Sequence, residues 1–264
     1  MPYANINSAR IYYEVHGSKD PIVLMQGFAK SLEGLRPVAD DLKEQHTVIM
    51  LDHRGSGRSQ STDTPYTMRM LADDVLSLLT FLGIDKVSLF GHSMGGALAL
   101  ELCTHTPSRI QKAIICSSFA KVPYTSMMQI DTILTMMQEG IAKEIIYRTV
   151  LPWLFSSSLL SRPGSVEHIL QMMLKDPYPQ LPQGFLGQAH AIKTFDITES
   201  LSKITADCLI LVGEDDLYTP VSCSKVLHNG IKKALMEVIP HQGHMVNEEM
   251  PQLISQKVLN FLNN

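Results

Sequence analysis

The sequence predicts an α/β protein with a doubly wound, mostly parallel sheet, helices on both faces, and a helical cap inserted after the sixth strand. Three observations support this prediction. Apolar runs of about five residues alternate with longer amphipathic stretches, as in βαβ units. Residues 122–198 lack such runs and instead contain helical patterns and prolines. The length of 264 residues suits one domain with an insertion.

The first part of the chain supplies most of the predicted core elements. Residues 9–15 alternate polar and apolar side chains and end at Gly17, which is typical of a hairpin strand. Thr67 is a suitable N-cap and Gly83 a suitable C′ residue for a long amphipathic helix. The predicted strands here are 9–15, 21–25, 47–51, 86–90 and 111–116, and the predicted helices are 35–44, 66–82 and 94–104.

The second part of the chain completes the core after the insertion. Residues 208–212 and 234–239 are predicted strands, and residues 248–262 form a closing amphipathic helix. The expected division is a core of residues 1–121 and 199–264 with a cap of residues 122–198. Six of the 15 methionines stand as three adjacent pairs within the cap.

These methionines and nearby aromatic residues indicate an apolar, adaptable substrate pocket under the cap. The alternative is that they form the core of the cap itself. Arg148 and Arg162 are candidates for contact with a substrate carboxylate. The expected pocket residues are Gln26, Phe119, Trp153, Met127, Met136 and Met172.

Composition and charge exclude several other classes of protein. The 22 basic and 26 acidic residues give a net charge of −4, which disfavours nucleic-acid binding. No apolar stretch reaches the roughly 18–20 residues of a membrane span, and the N-terminus lacks a signal-peptide pattern. The four cysteines have no metal-ligand spacing and are expected to be reduced. We therefore expect a cytoplasmic protein with a small-molecule substrate.

A candidate nucleophile lies in the segment Gly91-His92-Ser93-Met94-Gly95, a G-x-S-x-G motif. The segment follows a predicted strand and precedes a predicted helix, which is the context that this motif requires. A serine on such a sharp turn projects its hydroxyl group, while the helix N-terminus offers free N–H groups to a developing oxyanion. Ser93 is the predicted nucleophile.

A serine nucleophile needs a base, and His244 is the best candidate among the ten histidines. It follows the strand 234–239 and precedes the last helix, so it lies at the carboxyl edge of the sheet, as Ser93 does. His241 shares this loop but stands next to the end of the strand. His92 adjoins Ser93, but successive residues at a tight turn point apart, so a structural role is expected for it.

The base in turn needs a carboxylate that orients it, and Asp216 is the best candidate. Three carboxylates follow the strand 208–212 in the sequence Gly213-Glu214-Asp215-Asp216, with Asp215 as the runner-up. The strand that ends at Cys116 is followed by no carboxylate. The order serine, aspartate, histidine along the chain differs from the orders of the two unrelated serine protease folds.

Four motifs together carry a family resemblance. They are D-x-R-G-x-G-x-S at residues 52–59, G-H-S-M-G-G at 91–96, G-x-x-D-x-x-x-P at 213–220, and Gly243-His244 with Glu248 and Pro251. On these motifs, the chain resembles α/β-hydrolase-fold proteins of the esterase, lactonase and non-haem haloperoxidase-like group over nearly its whole length apart from the insertion. The resemblance selects Asp216 over Asp215.

The resemblance implies a mechanism and also reveals one departure from the family pattern. It implies an oxyanion hole made by the backbone N–H groups of Phe28 and Met94. The family usually has His-Gly after the third strand, whereas this chain has Gln26-Gly27. A backbone donor does not depend on the side chain two positions earlier, so the hole is expected to survive, although Gln26 is able to reshape the loop.

The expected function is hydrolysis of a carboxylic ester or lactone of a small to medium, largely apolar substrate through an acyl-enzyme. No metal or other cofactor is expected, because no ligand cluster or phosphate cradle is visible. Two alternatives stay open. One is another chemistry on the same residues: perhydrolysis, C–C bond hydrolysis, or cofactor-free lyase or oxygenase chemistry. The other is a ligand receptor that retains the triad.

Overall fold

A computed structural model describes residues 2–62 and 65–264. In this part of the chain, eight strands form one sheet in the order β1-β2-β4-β3-β5-β6-β7-β8. The pairs β1–β2 and β2–β4 are antiparallel, and every other neighbouring pair is parallel. The strands are β1 (Tyr3–Ile6), β2 (Ala9–His16), β3 (Pro21–Met25), β4 (Thr47–Leu51), β5 (Val87–His92), β6 (Ile110–Cys116), β7 (Asp207–Gly213) and β8 (Ala234–Ile239).

Helices follow β3, β4, β5, β7 and β8 and also fill the long connection between β6 and β7. That connection contains α4 to α8, in the sector where a helical insertion is predicted. The helices are α1 (Arg36–Leu42), α2 (Met68–Phe81), α3 (Met94–His105), α4 (Tyr124–Gln138), α5 (Lys143–Leu154), α6 (Ser157–Leu160), α7 (Ser165–Leu174), α8 (Pro182–Thr194), α9 (Val221–Gly230), α10 (Val246–Glu249) and α11 (Pro251–Asn263). Within the described ranges, no helix is both long and apolar enough to cross a bilayer.

The central strands are buried on both faces, which explains why each is an uninterrupted apolar run. On β3, Ile22 and Leu24 pack into one core cluster, and Val23 and Met25 pack into the other. All four side chains are at most 1% exposed. Helices α2 and α3 cover one face, and α1 and α11 cover the other. This two-sided burial confirms the predicted doubly wound, mostly parallel sheet.

The predicted strand bounds agree with the structure at β3, β4 and β8. The Thr67 hydroxyl accepts a hydrogen bond from Met70 N at 3.1 Å and caps α2, while Gly83 has a φ of +71° just after that helix. The predicted closing helix 248–262 is wrong in one respect. It is two helices that break at Met250, because Pro251 starts α11 with no N–H to continue the preceding helix.

Two elements were not predicted. Strand β1 has only four residues, so its alternation is too short to stand out as a periodic pattern. Helix α9 buries only Ser224 and Leu227 fully and exposes Val226, so its apolar periodicity is weak.

Candidate active site

Ser93 stands at the sharp turn between β5 and α3. Its φ of +54° and ψ of −117° lie in a region that L-residues rarely adopt, a strain of about 1–3 kcal/mol. The turn fits only because its neighbours are glycines. A Cβ atom at Gly91 would lie 2.1 Å from Gly95 O, and one at Gly95 would lie 2.1 Å from Met25 O. The Ser93 N–H donates to Cys116 O at 2.9 Å, which fixes the turn to β6.

The predicted serine, histidine and aspartate lie in one hydrogen-bonded chain. Ser93 Oγ lies 3.0 Å from His244 Nε2, and His244 Nδ1 lies 3.0 Å from Asp216 Oδ2. The three residues are 8%, 3% and 2% exposed, respectively. They follow β5, β8 and β7, so the carboxyl ends of three parallel strands bring them together from distant parts of the chain.

Donors on the following turn fix the carboxylate of Asp216. Its Oδ1 accepts the N–H groups of Tyr218 and Thr219 at 2.9 and 2.8 Å, and its Oδ2 accepts the Thr219 hydroxyl at 2.9 Å. Neither Tyr218 nor Thr219 was predicted from the sequence. An aspartate that accepts backbone N–H groups two and three positions later is a recognisable turn pattern that could have revealed them. Asp215 is exposed and makes no such contacts in the described residues.

The other two histidine candidates lie apart from the Ser93 hydroxyl group. The His241 side chain is 79% exposed, and Nδ1 lies 3.7 Å from a carboxylate oxygen of Glu214. His92 is buried, with Nε2 2.9 Å from His244 O and Nδ1 3.0 Å from Gln26 Oε1. Burial, together with the nearby His244, lowers the pKa of His92 to about 3. His92 therefore stays neutral and braces the backbone of the loop that carries His244.

The two backbone N–H groups predicted to form an oxyanion hole belong to segments next to Ser93. Met94 is the first residue of α3, so its N–H has no acceptor within the helix. The loop after β3 runs directly against the serine, because a Cβ at Gly27 would lie 3.1 Å from Ser93 Cβ. Phe28 follows in that loop, and no described residue accepts its N–H. Both groups are available as donors.

Aromatic rings continue from the histidine towards the helices between β6 and β7. The Tyr218 ring centroid lies 5.3 Å from that of His244, with an angle of 31° between the planes. Trp153 of α5 packs edge-on against Tyr218 at 5.9 Å. Burial raises the pKa of the Tyr218 phenol. The Tyr218 ring thus contacts both Trp153 and His244, the candidate base.

The other expected pocket residues occupy different surroundings. Phe119 is 2% exposed and packs edge-on against Phe195 at 6.3 Å, within the core. Met127 and Met136 are partly buried against the same core cluster. Met172 is 62% exposed, because the buried face of α7 is formed by other side chains, so it faces solvent rather than an enclosed chamber.

The two arginines considered for a substrate carboxylate also lie on the surface. Arg148 pairs with Glu144 one turn earlier on α5 at 3.2 Å, and Arg162 is exposed. An open cleft of about 570 Å³ lies between residues 55–61 and 179–181, and none of Ser93, Asp216 or His244 lines it. The described geometry does not connect this cleft to the nucleophile.

An open parallel sheet that presents a strained serine after β5, with its partners after β7 and β8, belongs to one class of enzyme, the α/β hydrolases. A family model described as "alpha/beta hydrolase fold" matches residues 20–251. The chain therefore belongs to the alpha/beta hydrolase fold family, as the motifs predict.

Individual relatives match nearly the whole chain. RutD of Caulobacter sp. (strain K31), whose name marks it provisionally as a carbamate hydrolase, is 28% identical over 262 residues, with 96% of this chain and 95% of that protein covered. A hydrolase from Pseudomonas aeruginosa PA01 superposes with a TM-score of 0.89 at 25% identity, covering 99% and 98% of the two chains. A thermophilic esterase from Thermogutta terrifontis superposes with a TM-score of 0.85 at 26% identity, covering 100% and 97%. These relatives support a hydrolase.

Proposed function

We propose that the protein is a serine hydrolase that cleaves a carboxylic ester or lactone through an acyl-enzyme. The observation that carries the proposal is the chain of hydrogen bonds from Ser93 Oγ through His244 to Asp216, with 3.0 Å at each link. This is the arrangement in which a weak hydroxyl nucleophile is activated by a base and the base is oriented by a carboxylate.

In the proposed mechanism, Ser93 Oγ attacks the carbonyl carbon while His244 Nε2 accepts the hydroxyl proton. The N–H groups of Phe28 and Met94 stabilise the oxyanion, and one such donor contributes about 2.7–4 kcal/mol. His244 returns the proton to the leaving alcohol oxygen as the C–O bond breaks. His244 then takes a proton from water as the water oxygen attacks the acyl carbon. The bond from that carbon to Ser93 Oγ breaks, His244 returns the proton to Ser93 Oγ, and the acid is released. Asp216 holds the histidine tautomer with the proton on Nδ1 throughout.

Residues 122–198 act in this proposal as a cap beside the site. The ring contacts from His244 through Tyr218 to Trp153 support this role, because they extend the site into α5. Such apolar surroundings suit a small or medium, largely apolar acyl group. The cysteines are free thiols, which suits a reducing compartment, and we place the enzyme in the cytoplasm.

Carbamate hydrolysis is a second candidate, favoured by the name of the Caulobacter relative that matches along nearly the whole chain. The same residues suffice for it, because a carbamate also passes through a tetrahedral oxyanion. It differs from ester cleavage in that the carbonyl carbon is less electrophilic and one product is a carbamic acid or an amine.

A substrate panel separates these candidates. Turnover is measured for esters of increasing acyl length, small lactones and simple carbamates, with Ser93→Ala as the control protein for each. We expect ester or lactone hydrolysis by the wild type and its complete loss in the folded Ser93→Ala variant. Carbamate turnover that exceeds ester turnover would favour the second candidate, and full activity in Ser93→Ala would contradict both.

A further inference from the structure

Three successive backbone amides in the loop after β3 have different partners. Gly27 N–H donates to the Gln26 side-chain oxygen at 2.8 Å, and Ala29 N–H donates to Gln188 Oε1 at 3.2 Å. The amide between them, Phe28 N–H, has no acceptor among the described residues. Glutamine side chains thus hold the two outer amides and leave the middle one available for a substrate oxygen.

Gln188 lies on α8, 159 residues further along the chain than its partner Ala29, and is 0% exposed. Its Oε1 also accepts the Gln180 side-chain amide at 2.9 Å, and its Nε2 donates to Arg54 O at 2.9 Å. N–H donors of Ala29 and Gln180 therefore face the side-chain oxygen of Gln188, and the Arg54 carbonyl faces its side-chain nitrogen. The amide has one orientation that satisfies its partners, so the side chain is a rigid support.

The same face of α8 also packs against the side chain of Phe28 in the loop after β3. Phe185 precedes Gln188 by one helical turn, and its ring centroid lies 4.6 Å from that of Phe28. Helix α8 reaches this close because of Gly184, where a Cβ atom would lie 1.9 Å from Gly55 O. One helix face thus fixes both the ring of Phe28 and the backbone amide that follows it.

Ala29 has a φ of +61°, a left-handed conformation that is unfavourable for a residue with a side chain. Such a conformation persists only where surrounding contacts hold it. The Gln188 hydrogen bond to the Ala29 N–H is a contact of this kind. Without it, the Phe28–Ala29 segment is free to relax, and the direction of the Phe28 N–H changes with it.

We propose that Gln188 is a positioning residue that holds the Phe28 N–H in place for the oxyanion. This inference rests on the proposed function and extends it, because it gives the helices between β6 and β7 a part in building the oxyanion hole. Gln188 acts through the loop and does not touch the reacting atoms.

Two substitutions distinguish positioning from structural support. Gln188→Leu removes both hydrogen-bonding groups. Gln188→Glu keeps an oxygen for the Ala29 N–H, but replaces the N–H towards Arg54 O by a second oxygen of a buried carboxyl group. Both are expected to lower Tm, because each leaves a buried polar group without a partner. Only Gln188→Leu is expected to lower kcat strongly, by about 10- to 100-fold with KM within about threefold, while Gln188→Glu keeps kcat within about threefold.

A trifluoromethyl ketone provides a readout that a structural role would not move. Its hemiketal oxyanion with Ser93 mimics the tetrahedral intermediate, so its Ki is expected to rise in Gln188→Leu by the same factor by which kcat/KM falls. Leu186→Ala, on the exposed side of α8, is the matched control and is expected to keep kcat and Ki within about twofold. If Gln188→Leu does not fold, Gln188→Asn takes its place, because its amide is one methylene shorter and no longer reaches the Ala29 N–H, and we expect a several-fold loss of kcat.

The outcomes separate this inference from the proposed function. Wild-type ester turnover together with unchanged kcat in Gln188→Leu, or equal loss of kcat in the leucine and glutamate variants, would overturn the positioning role alone. Unchanged kcat in the substitute Gln188→Asn would do the same. A wild type that hydrolyses no ester, lactone or carbamate would overturn the proposed function and, with it, this role.

Discussion

At the scale of single residues, the imidazole of His244 is constrained on several sides. Asp216 holds Nδ1, the Tyr218 ring lies against one face, and the buried ring of His92 lies 5.0 Å away and contacts the backbone oxygen of His244. Such contacts pre-organise a base, because its side chain then loses little conformational entropy when the reaction begins. The geometry therefore suits proton transfer at Nε2, where Ser93 lies.

Asp216 and Asp215 are adjacent in sequence and provide a matched pair of substitutions. We expect Asp216→Asn to lower kcat by about 10⁴-fold, because an amide favours the wrong histidine tautomer, while Asp215→Asn stays within about twofold. Steady-state hydrolysis of one activated ester measures both, and circular dichroism checks that each variant is folded. A larger loss in Asp215→Asn would mean that the wrong carboxylate has been assigned.

These positions can be predicted from sequence because they depend on local backbone requirements. A nucleophile turn needs glycines at 91 and 95, and the acid and base each follow a recognisable strand. Gln188 could not be predicted in this way. Its contact with Ala29 joins residues 159 positions apart, and nothing in the local pattern of α8 marks a buried glutamine as special.

At the scale of elements, the start of α3 is determined by contact rather than by helix propensity. Gly95 and Gly96 both lie in the first turn, although glycine costs about 1 kcal/mol relative to alanine in a helix interior. The backbone of β3 passes so close that no side chain fits at Gly95. This proximity also brings the loop after β3 against Ser93, so the two sides of the expected oxyanion hole form together.

Gly95→Ala tests this account of the turn. Propensity alone predicts a gain in stability, but the clash with Met25 O predicts a loss of about 1–3 kcal/mol in the free energy of unfolding. Urea denaturation measures the difference. Gly140→Ala is the control without a clash. An alanine there has open space around its Cβ, and its φ of +70° alone costs about 1 kcal/mol. Stabilisation by Gly95→Ala would show that close packing does not explain this glycine.

The helices between β6 and β7 were the least predictable elements. Paired methionines indicate apolar helices but not which member of each pair faces inward, and the structure places Met173 inward and Met172 outward on α7. Their number and bounds depend on packing against the core rather than on strong caps. Of α4 to α8, only α6 has an N-cap whose side chain accepts a hydrogen bond in the described structure.

At the scale of the whole molecule, parallel strands gather the site at one edge of the sheet. The register pairs Met25 of β3 with Gly91 of β5, so both expected oxyanion donors follow strands that end side by side. Since β7 and β8 end at the same edge, the chain needs no special contacts to bring Asp216 and His244 near Ser93. The fold class predicted from sequence therefore also predicted where the site lies.

The same close packing makes global stability depend on pH. Burial lowers the pKa of His53 to about 4 and that of His92 to about 3, from an ordinary value of about 6.5. As pH falls below about 6.5, the unfolded chain binds protons at these histidines while the folded chain does not. Stability is therefore complete above about pH 6.5 and falls below it, by up to about 1.4 kcal/mol per pH unit for each histidine.

His53→Gln isolates one of these contributions. We expect the slope of unfolding free energy against pH between 6.5 and 4.5 to decrease, because one proton fewer is taken up on unfolding. Urea denaturation at several pH values provides the slope, with His228→Gln, at an exposed histidine, as the control substitution. An unaltered slope in His53→Gln would mean that His53 is able to bind a proton in the folded state.

The central proposal is that Ser93 is the nucleophile, and intact-protein mass spectrometry after rapid mixing with an activated ester tests it directly. We expect an adduct of the mass of the acyl group that forms before steady state, maps to the peptide containing Ser93, and is absent from Ser93→Ala. Turnover of that ester by the wild type with no acyl adduct, or an adduct at another residue that persists in Ser93→Ala, would contradict it.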